Sequence, residues 1–152
     1  MSFQLSKESF IALAAIAWAD ERMSRREAEG LLRAAREGGL DGDDLEAVRR
    51  ATESPVGVSD FDASGMSEWE RGLTYALACW LSRVDGHTNA EEADTLERLG
   101  DALDFPKSKR AAAYSAAFDI ACLEGGNKPE KFDFARLVEH LAQKLPSLRR
   151  GE

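Results

Sequence analysis

Helix-start signals recur along this chain, and they constrain its fold more than any other feature. In three places a residue that can cap a helix is followed three positions later by Glu: Ser24 with Glu27, Ser67 with Glu70, and Asn89 with Glu92. Ala, Leu, Glu and Arg, which are strong helix formers, dominate the composition. No segment alternates apolar and polar residues cleanly enough for a strand. These patterns predict an all-α fold.

The caps and breaks divide the chain into about seven helices. The first is predicted at about 6–19, where the apolar residues have helical spacing. The others are predicted at about 24–37, 41–53, 67–84, 89–103, 106–123 and 132–145. Residues 54–66, with one Pro and two Gly, predict a loop. We expect a single domain over residues 1–152.

A shift of 65 residues aligns two parts of the chain. Each part has an apolar helix, an Asp, a three-residue gap, a helix cap and a Glu three positions later. The aligned pairs include Phe10 with Tyr75, Asp20 with Asp85, Ser24 with Asn89, Glu27 with Glu92, and Leu40 with Phe105. The alignment predicts a duplicated helical hairpin, with halves at about 6–53 and 67–123 related by a pseudo-twofold rotation.

The second copy carries a motif that resembles a known family. Val84-Asp85-Gly86-His87-Thr88-Asn89-Ala90-Glu91-Glu92 is similar to the signature of the TerB-like, or tellurite-resistance, helical family, which also occurs in DnaJ-like co-chaperones of the DjlA type. The resemblance covers roughly residues 6–125. It implies a bacterial stress-response role and an acidic surface that holds a metal ion.

The same motif is the candidate metal site. Asp85, Asn89 and Glu92 could converge with a loop carbonyl on a hard divalent cation such as Ca²⁺. Asp20 and Glu27 form the weaker equivalent, because the first loop contains three arginines and has Glu21 in place of a glycine. The alternative is purely structural, since an Asp, a cap and a Glu at this spacing also satisfy the free N–H groups of a loop and a first helical turn.

Catalytic signals are not evident, and we expect a protein that is not an enzyme. The two histidines, His87 and His140, are far apart in sequence, and no Cys–His spacing suits zinc. The leading hypothesis is therefore a TerB-like module that binds a protein partner and is tuned by a cation. A generic helical adaptor or immunity-type protein without metal is the main alternative, and a hydrolase with a carboxylate-bound metal is a third.

Charge is distributed unevenly along the chain, whose formal net charge is −8. Residues 1–66 carry a net −5, residues 67–104 a net −6, and residues 105–152 a net +3. The first two thirds would repel nucleic acid, so none is expected as a partner. The basic last third could dock on an acidic protein, although a solvated helix surface is the simpler explanation.

Apolar residues predict a core rather than a membrane anchor. The longest apolar run, from Phe10 to Ala19, is about half as long as a spanning helix, so no membrane insertion and a cytoplasmic location are expected. Cys79 and Cys122 are predicted to be buried, reduced thiols. Trp18 and Trp80 are expected to pack between the halves, whereas Trp69 is expected to be partly exposed.

Overall fold

A computed structural model describes residues 5–19, 25–81 and 90–121, together with residues 136, 139 and 141–143. All regular structure in this part is helical, and it contains no strand, which confirms the predicted all-α fold. Residues 136, 139 and 141–143 are helical and mark the seventh helix. The six earlier helices are α1 (Lys7–Ala17), α2 (Arg25–Glu37), α3 (Gly42–Glu53), α4 (Glu68–Leu81), α5 (Ala90–Ala102) and α6 (Lys107–Ala121).

Two helices, α1 and α4, form the centre of the fold and pack against each other. Every residue from Ala12 to Ala17 in α1 and from Gly72 to Leu81 in α4 is buried. A helix that is apolar on all sides must be surrounded, and here α2 and α3 contact α1 while α5 and α6 contact α4. Within the described residues, no helix combines the length and the apolar character that crossing a membrane requires.

Helices α2 and α5 end in the same backbone turn. Three N–H groups fold back onto the last helical carbonyls, and a residue with positive φ stands in the turn, Gly39 at 93° and Asp104 at 54°. After α2, the bonds run from Gly38, Gly39 and Leu40 to Ala34, Arg36 and Ala35, at 2.8, 3.1 and 3.0 Å. After α5, they run from Leu103, Asp104 and Phe105 to Leu99, Asp101 and Gly100, at 2.8, 3.0 and 3.0 Å.

Two residues that the 65-residue shift aligns also contact each other. Ser9 in α1 and Thr74 in α4 are fully buried, and the Thr74 hydroxyl donates to Ser9 Oγ at 3.0 Å. Equivalent residues contact each other close to a twofold axis, so this contact is compatible with a duplication. That residues 6–40 superpose on residues 71–105 by a near-twofold rotation stays a prediction.

The capping box predicted at α4 is only half formed. Ser67 Oγ accepts the Glu70 N–H at 3.1 Å, as expected. The Glu70 carboxylate, however, turns to the start of α1, where its Oε2 accepts the Ser6 N–H at 2.8 Å, the Ser6 hydroxyl at 2.8 Å and the Ser9 hydroxyl at 2.7 Å. A carboxylate at a helix N-terminus is favourable, so Glu70 joins the two central helices instead of closing its own.

The tryptophans follow the sequence expectation in part. Trp80 is buried, at 2% exposure, as predicted. The expectation that Trp69 is partly exposed was wrong: it is 7% exposed and belongs to the core, because its face of α4 turns inward. Trp18 is half-buried, and its indole N–H donates to the Ala51 carbonyl at 2.8 Å, which ties the end of α1 to α3. The sixth helix begins at Lys107, one residue after its predicted start at Pro106.

Candidate functional site

The residues predicted to hold a cation lie outside what the structure describes. Asp20, Asp85 and Asn89 fall in the gaps between described segments. Glu27 lies in α2 and Glu92 in α5, but their side chains are likewise outside the described part. The convergence of Asp85, Asn89 and Glu92 therefore stays a prediction. Elsewhere in the described segments, no three His, Cys, Asp or Glu side chains come together in a way that could hold a metal ion.

A surface depression in the described part runs between α5 and α6 and has α4 at its base. We call it the α5–α6 groove, and its volume is about 500 Å³. Tyr75 and Leu96, both buried, form its apolar floor. The walls and rim are Ala93 and Glu97 from α5, and Lys107, Arg110 and Tyr114 from α6. The groove combines apolar surface with a few charged groups, as binding sites commonly do.

Arg110 is fixed in one wall of this groove. Its Nε and Nη2 donate to the Phe105 carbonyl at 3.0 and 2.8 Å, and Nη2 also donates to Asp101 Oδ1 at 3.0 Å. The guanidinium lies directly on Gly100, where an added Cβ would stand 2.5 Å from Arg110 Cζ. Only a glycine leaves room for this approach. The arginine thus covers the end of α5 and holds a rigid positive charge beside the groove.

Burial changes the pKa of two groups at the groove floor, Tyr75 and Cys79. It raises the pKa of Tyr75 to about 12, with a further increase from the neighbouring Cys79 and an opposing effect from Arg110. Burial also raises the pKa of the Cys79 thiol, and its contact with Tyr75 only partly offsets this. Both groups are neutral near pH 7. The floor therefore contains an un-ionised phenol. The Cys79 thiol behind it is buried and forms no disulfide, as predicted, and in its protonated form it is a poor nucleophile.

An aromatic pair extends the α6 wall beyond the groove. Tyr114 and Phe118, one turn apart, stack with their ring centroids 6.4 Å apart and their planes at 19°. Phe118 is 39% exposed, and the other large hydrophobic residues of the described part are buried or half-buried. Lys107, Arg110, Tyr114 and Phe118 follow a spacing of three or four residues, so they share one face of α6. This face, which we call the α6 face, is cationic at one end and aromatic at the other.

Charges at the groove mouth favour a negative ligand. Lys107 makes no ion pair with any described residue, whereas Asp101 is already paired with Arg110. Glu97, on the opposite wall of the groove, forms no ion pair with any described residue. The N-terminus of α6 adds its own partial positive charge at Lys107. The α6 side of the groove mouth is therefore locally positive, whereas its α5 side carries Glu97.

Two smaller depressions have less to offer a ligand. One, of about 380 Å³ between α1, α3 and the following loop, has Arg50 at its rim together with Glu53 and Asp60. The other, of about 250 Å³, contains Arg71, whose guanidinium donates to the carbonyls of Met66, Leu103 and Ala63 at 3.2, 3.1 and 3.0 Å. Arg71 thereby fastens the loop before α4 to the end of α5, which is a structural role.

Comparison with protein-family models, with curated proteins and with solved structures found no match to this chain. The α5–α6 groove must therefore be interpreted from its own residues. The sequence indicated a helix at about 106–123 and a basic last third, but it did not predict the groove. The spacing of Lys107, Arg110, Tyr114 and Phe118 was the available signal.

Proposed function

We propose that this chain is a non-enzymatic, TerB-like helical module that acts by binding a protein partner. The observation that carries the proposal is the α6 face beside the α5–α6 groove. An exposed Phe118 stacked on the half-buried Tyr114, together with a lysine, Lys107, that has no ion pair to any described residue, lies next to an apolar depression. This is the composition of a protein-binding surface, with an aromatic anchor and a charged rim. The stress-response role comes from the sequence resemblance alone.

The proposal includes a divalent cation, such as Ca²⁺, that tunes partner binding. Its ligands would be Asp85, Asn89 and Glu92, with Asp20 and Glu27 as the weaker set. Calorimetric titration with CaCl₂ tests this part, with Asp20→Asn as the matched control for Asp85→Asn. We expect binding that Asp85→Asn removes and Asp20→Asn leaves intact. No heat of binding in the unmodified protein would favour the alternative, a helical adaptor or immunity-type protein without metal.

Affinity purification tests the binding surface itself. The tagged chain would be purified from cell extract beside Lys107→Glu, Phe118→Ala and Lys7→Glu, and the co-purifying proteins quantified by mass spectrometry. Lys7→Glu is the matched control, because Lys7 and Lys107 are both exposed first residues of helices and undergo the same charge change. We expect a partner that Lys107→Glu and Phe118→Ala lose and Lys7→Glu retains. A partner retained equally by all variants would exclude the α6 face as the binding surface.

A further inference from the structure

We infer that the partner segment seated in the α5–α6 groove is an acidic peptide segment that carries a large aromatic or aliphatic side chain. This inference rests on the proposed function and assigns the partner's chemistry at the same site. The segment's apolar side chain packs between Tyr114, Phe118 and the groove floor, and its carboxylates lie at the Lys107 end of the α6 face.

The charge of the groove mouth selects an acidic segment. Lys107 lines the groove and has no ion-pair partner among the described residues, and it is the first residue of α6, where the helix dipole adds to its positive field. The Arg110 guanidinium, although paired with Asp101, remains at the wall as a fixed donor. A basic segment would bring like charges together at this end, and like charges facing each other oppose binding.

The apolar surface selects a segment with a bulky anchor. Leu96 and Tyr75 form a floor that side chains in the wall do not fill, and Phe118 presents part of its ring to solvent one turn beyond Tyr114. A bulky side chain that fills the depression and covers Tyr114 and Phe118 removes apolar area from water, which favours binding. A purely charged segment would leave this area exposed.

The opposite wall distinguishes a peptide from a nucleic acid. Glu97 faces the groove, and Asp94 and Asp101 lie on the same helix within two turns of it. A phosphate backbone carries a charge at every unit and would meet these acids, whereas a peptide can place its few carboxylates on the α6 side only. The same aromatic and basic residues would otherwise suit single-stranded nucleic acid, so nucleic acid is an outcome that the test includes.

Selection from a random dodecapeptide display library tests the inference on the full chain. The unmodified protein and Lys7→Glu should enrich peptides that place Asp or Glu close to Phe, Trp or Leu, and Lys107→Glu should not enrich them. For one enriched peptide, labelled with fluorescein, the anisotropy titration should show affinity about five- to tenfold weaker for Lys107→Glu, and unchanged for Lys7→Glu. Phe118→Ala should weaken it as well, and Phe118→Leu should restore much of the loss.

A charge exchange makes the test specific. The same peptide with Lys in place of its key Asp should bind the unmodified protein more weakly, and it should regain affinity for Lys107→Glu. Enrichment without acidic residues, equal loss in Lys7→Glu, or tighter binding of a labelled oligothymidine than of any peptide would overturn the inference. If Lys107→Glu and Phe118→Ala lose the native partner but the selected peptides lack acidic residues, the inferred partner chemistry is refuted and the proposed function is not. A native partner unaffected by those variants would refute the proposed function.

Discussion

Glu70 joins the two central helices, and its removal provides a sharp test of how the core is organised. In Glu70→Ala the buried Ser9 hydroxyl loses the acceptor of its hydrogen bond, which costs about 1–3 kcal/mol. The start of α1 also loses a nearby negative charge, worth about 0.3–1 kcal/mol. The two bonds from the exposed Ser6 contribute less, because water replaces their acceptor. We expect the free energy of unfolding to fall by about 1.5–4 kcal/mol.

Urea unfolding, followed by tryptophan fluorescence and circular dichroism, measures this loss, and Glu68→Ala is the matched control. Glu68 lies in the same first turn of α4 and is exposed, so its substitution should change stability by about 0.5 kcal/mol or less. Adding Ser9→Ala removes the unsatisfied hydroxyl, so Glu70→Ala should cost about 1–2 kcal/mol less in that background. The reasoning is refuted if Glu70→Ala costs no more than Glu68→Ala, or if its cost is unchanged by Ser9→Ala.

Three further predictions concern buried side chains. Trp80→Ala should lower the unfolding free energy by about 3–5 kcal/mol in the same urea assay, and a loss under about 1 kcal/mol would contradict its burial. The Tyr75 phenol should ionise near its pKa of about 12, as followed by ultraviolet difference absorption, and Tyr75→Phe should remove that ionisation. Because the pKa of an unfolded tyrosine is about 10, the stability that Tyr75 contributes should be lost as the pH rises from about 10 to 12. Cys79, in a Cys122→Ser background, should react with a thiol reagent only in denaturant, and rapid reaction in the folded protein would contradict a buried thiol.

Local signals predicted the helices well, because helix ends are determined by neighbouring residues. Helix α2 ends at Glu37, as predicted, directly before Gly38 and Gly39, and Asp41, the predicted start of the third helix, stands just before α3. The second-half equivalent of Gly39 is Asp104, which also adopts positive φ. Asp is one of the few residues other than glycine that tolerate this conformation, so the same turn forms without the glycine signal.

Long-range partners explain what the sequence did not predict. The sequence predicted that the Glu70 carboxylate closes the capping box of its own helix. It accepts three hydrogen bonds from α1 and Ser6 instead, and these donors are within reach only because α1 packs against α4. Trp69 is buried for the same reason, since the direction of its face depends on the elements around α4. The α5–α6 groove draws on three helices, and the contribution of Tyr75 cannot be read from the spacing within α6.

Nuclear magnetic resonance mapping of a bound peptide tests the central claim most directly. An enriched acidic peptide would be titrated into the ¹⁵N-labelled chain, and the amide shift changes followed by residue. The account predicts that the largest changes cluster at residues 93–97 and 107–118, and that Lys107→Glu reduces them at equal peptide concentration while Lys7→Glu does not. Largest changes on α1 and α3, or changes that Lys107→Glu leaves unaltered, would contradict the assignment of the α5–α6 groove as the partner-binding surface.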